Sequence, residues 1–147
     1  YHNNASKPEQ WKFSDVTAAV GLDIPHSYIG GFCDVDNDGD LDLIADADLW
    51  INEGNENHWL AIKLVGNGTT VNKAALGCQV RIDVPGLGTL ARQVCGGRGN
   101  YTHQDDPRLH FGLGTHTGPV TAEVRWLDGT IQKVTSEIDC YITITQE

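Results

Sequence analysis

The chain has 147 residues, 20 acidic and 10 basic side chains, and a formal net charge of −10. Without a basic stripe to neutralise phosphates, nucleic acid is ruled out as a natural partner. Without an apolar run of about 18 residues, so is a membrane-spanning helix. The length suits one domain, or one domain with a small attached module. The chain begins with Tyr1 and contains no Met, so it reads as a processed chain or a fragment.

Residues 1–13 are polar apart from Trp11 and Phe13 and read as an extended arm. Nothing local explains Trp11, so Trp11 and Phe13 are the candidate partner-binding aromatics. The segment Asp15-Val-Thr-Ala-Ala-Val20 reads as a short helical turn capped by Ser14 or Asp15 and stopped by Gly21, with a plain loop as the alternative. Strands are expected over 28–33, 41–45 and 49–51.

Between the first two of these lies Asp34-Val-Asp-Asn-Asp-Gly-Asp-Leu-Asp42, with acidic side chains at Asp34, Asp36, Asp38, Asp40 and Asp42 around Gly39. Five carboxylates in one turn repel one another unless a cation sits among them. Oxygen donors without nearby Cys or His select a hard ion, and a crowded loop suits calcium better than octahedral magnesium. The opening residues match an EF-hand loop, but Ala45 stands where that motif carries its closing Glu. The alternative is a solvated acidic turn.

From residue 58 onward the pattern is β throughout. Leu60, Ile62 and Leu64 alternate with Ala61 and Lys63, and Cys78 to Val84 alternates likewise. Pro85-Gly-Leu-Gly88 turns the chain into a strand over 89–95, and further strands are expected over 109–113, 120–126, 131–134 and 140–144. Trp59 and Trp126 sit within apolar strands and are expected in the core. Regular strands without a long helix argue an all-β fold, a β-sandwich with the small acidic-loop repeat docked on it. The expected divisions are an arm at 1–13, the repeat at 14–56 and the sandwich at 57–147.

Two resemblances accompany this reading. Phe13-Ser-Asp-Val-Thr, Gly30-Gly-Phe and the acidic run resemble a calcium-binding repeat of the VCBS/FG-GAP type. That implies side-chain ligands at Asp34, Asp36, Asp38 and Asp42, with Asp40 supplying its backbone carbonyl. Asn57-His-Trp-Leu60, Ala75-Leu-Gly77, Gly99-Asn-Tyr-Thr-His-Gln104, Leu109-His-Phe-Gly-Leu-Gly114 and Val124-Arg-Trp-Leu-Asp-Gly129 together resemble the ASPIC/UnbV domain, roughly over 57–145. The domain follows such repeats in cartilage acidic protein-like and secreted bacterial proteins, which implies extracellular recognition or scaffolding and no catalytic residues. Several repeats normally build a propeller, which needs at least four blades. Here there is one, so it must dock on the sandwich or on another molecule.

Four cysteines without metal-type spacing suggest disulfides. With Val84 opposite Thr89, Cys78 falls opposite Cys95, which leaves Cys33 for Cys140. In that register Leu90 and Val94 face away from Ile82, so a bulge is the alternative. Sequons at Asn4, Asn67 and Asn100 mark candidate glycosylation sites. The six His residues are scattered and no hydrolase or phosphate-binding motif occurs, so no enzyme is expected. The function expected is a secreted, extracellular, calcium-binding structural or adhesive module. Its expected partners are other copies of itself or matrix and surface proteins, in a filamentous, glycosylated assembly. The alternative is a lectin-like module binding glycans.

Overall fold

The computed structural model describes residues 2–3, 13–22, 30–45, 48–97 and 106–147. Trp11, Asn4 and Asn100 lie outside the described residues. The strands are β1 (His2–Asn3), β2 (Phe13–Ser14), β3 (Gly30–Cys33), β4 (Asp42–Ala45), β5 (Asp48–Trp50), β6 (His58–Val65), β7 (Gln79–Val84), β8 (Gly88–Gln93), β9 (Leu109–Gly114), β10 (Val120–Arg125), β11 (Ile131–Ser136) and β12 (Cys140–Thr145). A 3-10 turn at Ala18–Val20 is the only helical element among the described residues. The Asp15 carboxylate accepts from the Thr17 amide and hydroxyl before it, and Gly21, at φ 75°, ends it.

The fold is all-β. Two sheets face each other, one ordered β11-β10-β7-β8 and the other β12-β6-β9. Period-two alternation puts Val120, Ala122 and Val124 of β10 and Val80, Ile82 and Val84 of β7 on the inner face of the first sheet. Leu60, Ile62 and Leu64 of β6 and Leu109, Phe111 and Leu113 of β9 meet them from the second. Phe111 is fully buried, and truncating such a ring to Ala costs about 3–5 kcal/mol.

The central strand β6 pairs antiparallel with β9 and parallel with the final strand β12. Asp139 fixes the parallel register. Its carboxylate accepts from the Trp59 amide (3.1 Å) and meets the His58 ring at 2.7 Å, while its own amide donates to the Trp59 carbonyl.

The β7–β8 hairpin sits one residue away from the expected register. Val84 pairs with Gly88, Ile82 with Leu90 and Gln79 with Gln93. The cause is the turn: Gly86 and Gly88 both take positive φ, so a three-residue connection closes on Gly88 rather than Thr89. This register places Leu90 with the core. It also sets Cys78 against Val94, whose amide donates to the Cys78 carbonyl and whose carbonyl accepts from the Gly77 amide. The Cys78–Cys95 pairing is therefore not made. Cys33–Cys140 is not made either, and all four thiols are free. Cys140 lies on the core side of β12 while the neighbouring Tyr141 faces out to the acidic loop, so the sheet itself stands between Cys140 and Cys33.

A third sheet, β3-β4-β5, is an antiparallel meander in which Phe32, Leu43 and Trp50 share one face and Gly31, Ile44 and Leu49 the other. β1 and β2 pair as a short two-stranded ribbon.

Candidate metal centre

The acidic loop links β3 to β4. Its two ends are its most buried carboxylates: Asp34 is 4% exposed and Asp42 fully buried. Asp42 is built into the chain, accepting from the Val35 amide at Oδ2 and the Asn52 amide at Oδ1, each at 2.8 Å. Asp34 accepts from the Gly39 amide (2.8 Å) and the Tyr141 hydroxyl, both at Oδ2, which leaves Oδ1 buried with no hydrogen-bond partner.

Ligand-type oxygens of Asp34, Asp36 and Asp42 lie within 4.8 Å of one another. Asp38 and Asp40 are outside this group. The Asp38 carboxylate accepts from the Asp40 amide and shapes the turn. Asp40 is turned toward Gly54, where a Cβ would stand 1.9 Å from its Oδ2. Partial desolvation, followed by the charge of Asp38, raises the pKa of both Asp36 and Asp40 above the usual carboxylate value. Both shifts have the sign expected where like charges are held close together.

The orphaned oxygen of a buried carboxylate, beside two more carboxylates, fits a hard cation. If calcium binds, Asp34, Asp36 and Asp42 would hold it, and its charge would neutralise the cluster.

The loop rests on the outer face of the β12-β6-β9 sheet. Cross-strand register sets Tyr141 beside Ala61 and Ala61 beside His110 on that face, with Trp59 adjoining. The His110 ring meets the Gly39 carbonyl at 2.6 Å. Trp59 stacks on His110 and meets Tyr141 edge-on. Gly39 is required here for two reasons: its φ is 98°, and a Cβ would lie 1.9 Å from the indole nitrogen of Trp59. Trp126 is in the core as expected, but Trp59 is not; its ring is the platform under the loop.

Arg108 bridges loop and sandwich. Its Nη2 donates to the Asp34 carbonyl (2.9 Å) and its Nη1 to the Asn37 side chain (2.8 Å). Asp106 holds it through Nε at 2.7 Å, and the guanidinium lies 4.8 Å from the Tyr141 ring centre. Burial, with the Asp34 hydrogen bond next, pushes the Tyr141 phenol well above its usual pKa, so it stays a donor.

Sequence reasoning missed the reach of Arg108 to Asp34 and Asn37. It also missed Tyr141 and His110. The available signal was a row of aromatic and charged residues on strand positions that alternation assigns to solvent.

Of the predicted glycosylation sites, Asn67 is described and half-buried. Its side-chain oxygen accepts from the amides of Thr69, Thr70 and Val71, and its nitrogen donates to the Thr70 hydroxyl. Phe13 is exposed on β2.

Fold and loop together define an all-β sandwich carrying an acidic turn on its outer face. A family model described as ASPIC and UnbV matches residues 68–147, more than half of the chain. The chain belongs to the ASPIC and UnbV family. The match begins after β6, although β6 is the central strand of one of the two sandwich sheets. No curated protein and no solved structure matches the chain.

Proposed function

We propose that the chain is a calcium-binding structural or adhesive module of an extracellular assembly, with copies of itself or matrix and surface proteins as partners. The observation that carries the reading is Asp34, a buried carboxylate with an unpartnered oxygen facing a cluster of like charge. An open, oxygen-only site of this kind suits the millimolar calcium found outside cells. The acidic run would act as a calcium-binding repeat bound to the sandwich.

Support for a role in assembly comes from the third sheet. Ile44 and Leu49 are cross-strand neighbours on one face and both are exposed; Phe32 is exposed on the other face, and Ile51 is exposed just past β5. Exposed apolar side chains gathered on one small sheet favour association. The arm over 1–13 is the second candidate contact.

Isothermal titration of the purified chain with calcium tests the metal. No heat of binding at millimolar calcium would end the reading. Mass measurement by size-exclusion chromatography, in calcium and in chelator, tests assembly. A strictly monomeric chain in both would remove self-association, and deletion of residues 1–13 shows whether the arm takes part.

One observation favours the glycan-binding alternative. A cleft of about 830 Å³ opens between β3 and the edges of the sandwich, with Phe32, Arg92 and Gln93 on its walls. Binding to a glycan array would favour that reading over a purely structural one.

A further inference from the structure

We infer that the sandwich, rather than the acidic loop alone, sets the affinity of the cation site, with Tyr141 and Arg108 as its positioning residues. This rests on the calcium reading above.

A short loop with five carboxylates has every electrostatic reason to splay apart, so its ligands must be held in place. Asp34 is held by groups from two directions. The Gly39 amide from the loop and the Tyr141 hydroxyl from β12 both donate to Oδ2. Rotation of the carboxylate would break both bonds, so the free Oδ1 is fixed. The turn that follows Asp34 is tied by one side chain, since Arg108 spans from the Asp34 carbonyl to the Asn37 side chain.

Arg108 brings a positive charge close to a cation site, and Asp106 answers it. The two form an ion pair of 2.6 Å, so the pair adds no net charge. The order of support is therefore Asp106 on Arg108, Arg108 on the loop backbone, and Tyr141 on the Asp34 carboxylate. Outer-sphere partners of this kind tune metal affinity by fixing ligand geometry before the ion arrives.

The experiment uses the full chain and two readouts: calcium titration by calorimetry, and terbium luminescence excited through the aromatic rings. Tyr141→Phe keeps the ring that packs on Trp59 and removes only the hydroxyl. Arg108→Gln removes the bridge, and Lys133→Gln, on the opposite sheet, serves as control. Wild type and Lys133→Gln should bind calcium equally, whereas Tyr141→Phe and Arg108→Gln should weaken it by about 10- to 100-fold. Their melting temperatures should fall further below wild type in calcium than in chelator.

If wild type binds and both variants match its affinity, the inference fails and the calcium reading stands. An equal drop in melting temperature with and without calcium, at unchanged affinity, would mark the two residues as merely structural and overturn it too. If wild type shows no binding, both readings fall together. Should Arg108→Gln not fold, Tyr141→Phe decides the question alone.

Discussion

At the scale of single residues, the carboxylates of the loop differ in what they do without a metal. Asp42 is fully buried and satisfies the amides of Val35 and Asn52. Asp42→Ala should therefore destabilise the chain even in chelator, at about 1–3 kcal/mol for each orphaned amide. Asp36 is exposed, and its one described bond is a long one (3.3 Å) from the Asp38 amide. Asp36→Ala should leave stability in chelator nearly unchanged and abolish most of the stabilisation by calcium. Chemical denaturation of both variants with and without calcium checks the pair.

A carboxylate remote from the loop sets an acid limit. Asp128 accepts from the Thr70 and Thr130 hydroxyls, the Thr130 amide and the Gln146 amide nitrogen. These bonds, Thr70 first, hold its pKa down to about 2 from 3.8. A depressed carboxylate contributes stability that is complete above its unfolded value and vanishes as pH falls through the folded one. Asp128→Asn should melt below wild type at neutral pH. The gap should close between pH 3.8 and about 2.

At the scale of elements, strands were legible because their alternation is a local property. Leu60, Ile62 and Leu64 announce the buried face of β6 without knowledge of its neighbours. Pairing is a different matter. The β7–β8 register turns on whether Thr89 or Gly88 closes the hairpin, a choice made by the positive φ of Gly88 and by the burial of Leu90. That one-residue difference is what removes the Cys78–Cys95 bridge. Trp59 was misjudged for a related reason: its apolar neighbours point to the core while it points the other way. The acidic cluster was legible from spacing alone; its supports were not, since Arg108 and Tyr141 are 74 and 107 residues from Asp34. The thiols give a direct check. Without reductant, four free thiols should react in denaturant. In the folded chain Cys78 should be protected, because it is fully buried and burial raises its pKa. Recovery of a Cys78–Cys95 or Cys33–Cys140 peptide would contradict the register and the sheet placement described above.

At the scale of the whole molecule, the sandwich and the third sheet meet through the acidic loop, so the metal would brace the junction between them. A site filled to about 100 times its dissociation constant adds about 2.7 kcal/mol. For a chain of this size that corresponds to a rise of about 5–10 °C in melting temperature. Scanning calorimetry in calcium and in chelator should show that difference, and identical traces would argue against any role for the ion in holding the two parts together. Asn67, whose side chain closes the turn after β6 through Thr69, Thr70 and Val71, bears on the same question of stability rather than on surface decoration alone.

The parallel pairing of β12 with β6 has a consequence in time. Tyr141 is carried by the last strand of the described fold, yet its hydroxyl serves a carboxylate 107 residues earlier. On a ribosome adding about 5–20 residues per second, Asp34 would wait roughly 5–20 s for that partner to be synthesised. During that interval the acidic turn has its carboxylates but lacks the β9 and β12 side chains that support it. Assembly of the site is then a late event, coupled to closure of the sandwich by its final strand. Terbium luminescence followed during refolding should rise with the slowest phase of recovery of native fluorescence, and a signal that precedes β12 docking would show that the loop organises itself unaided.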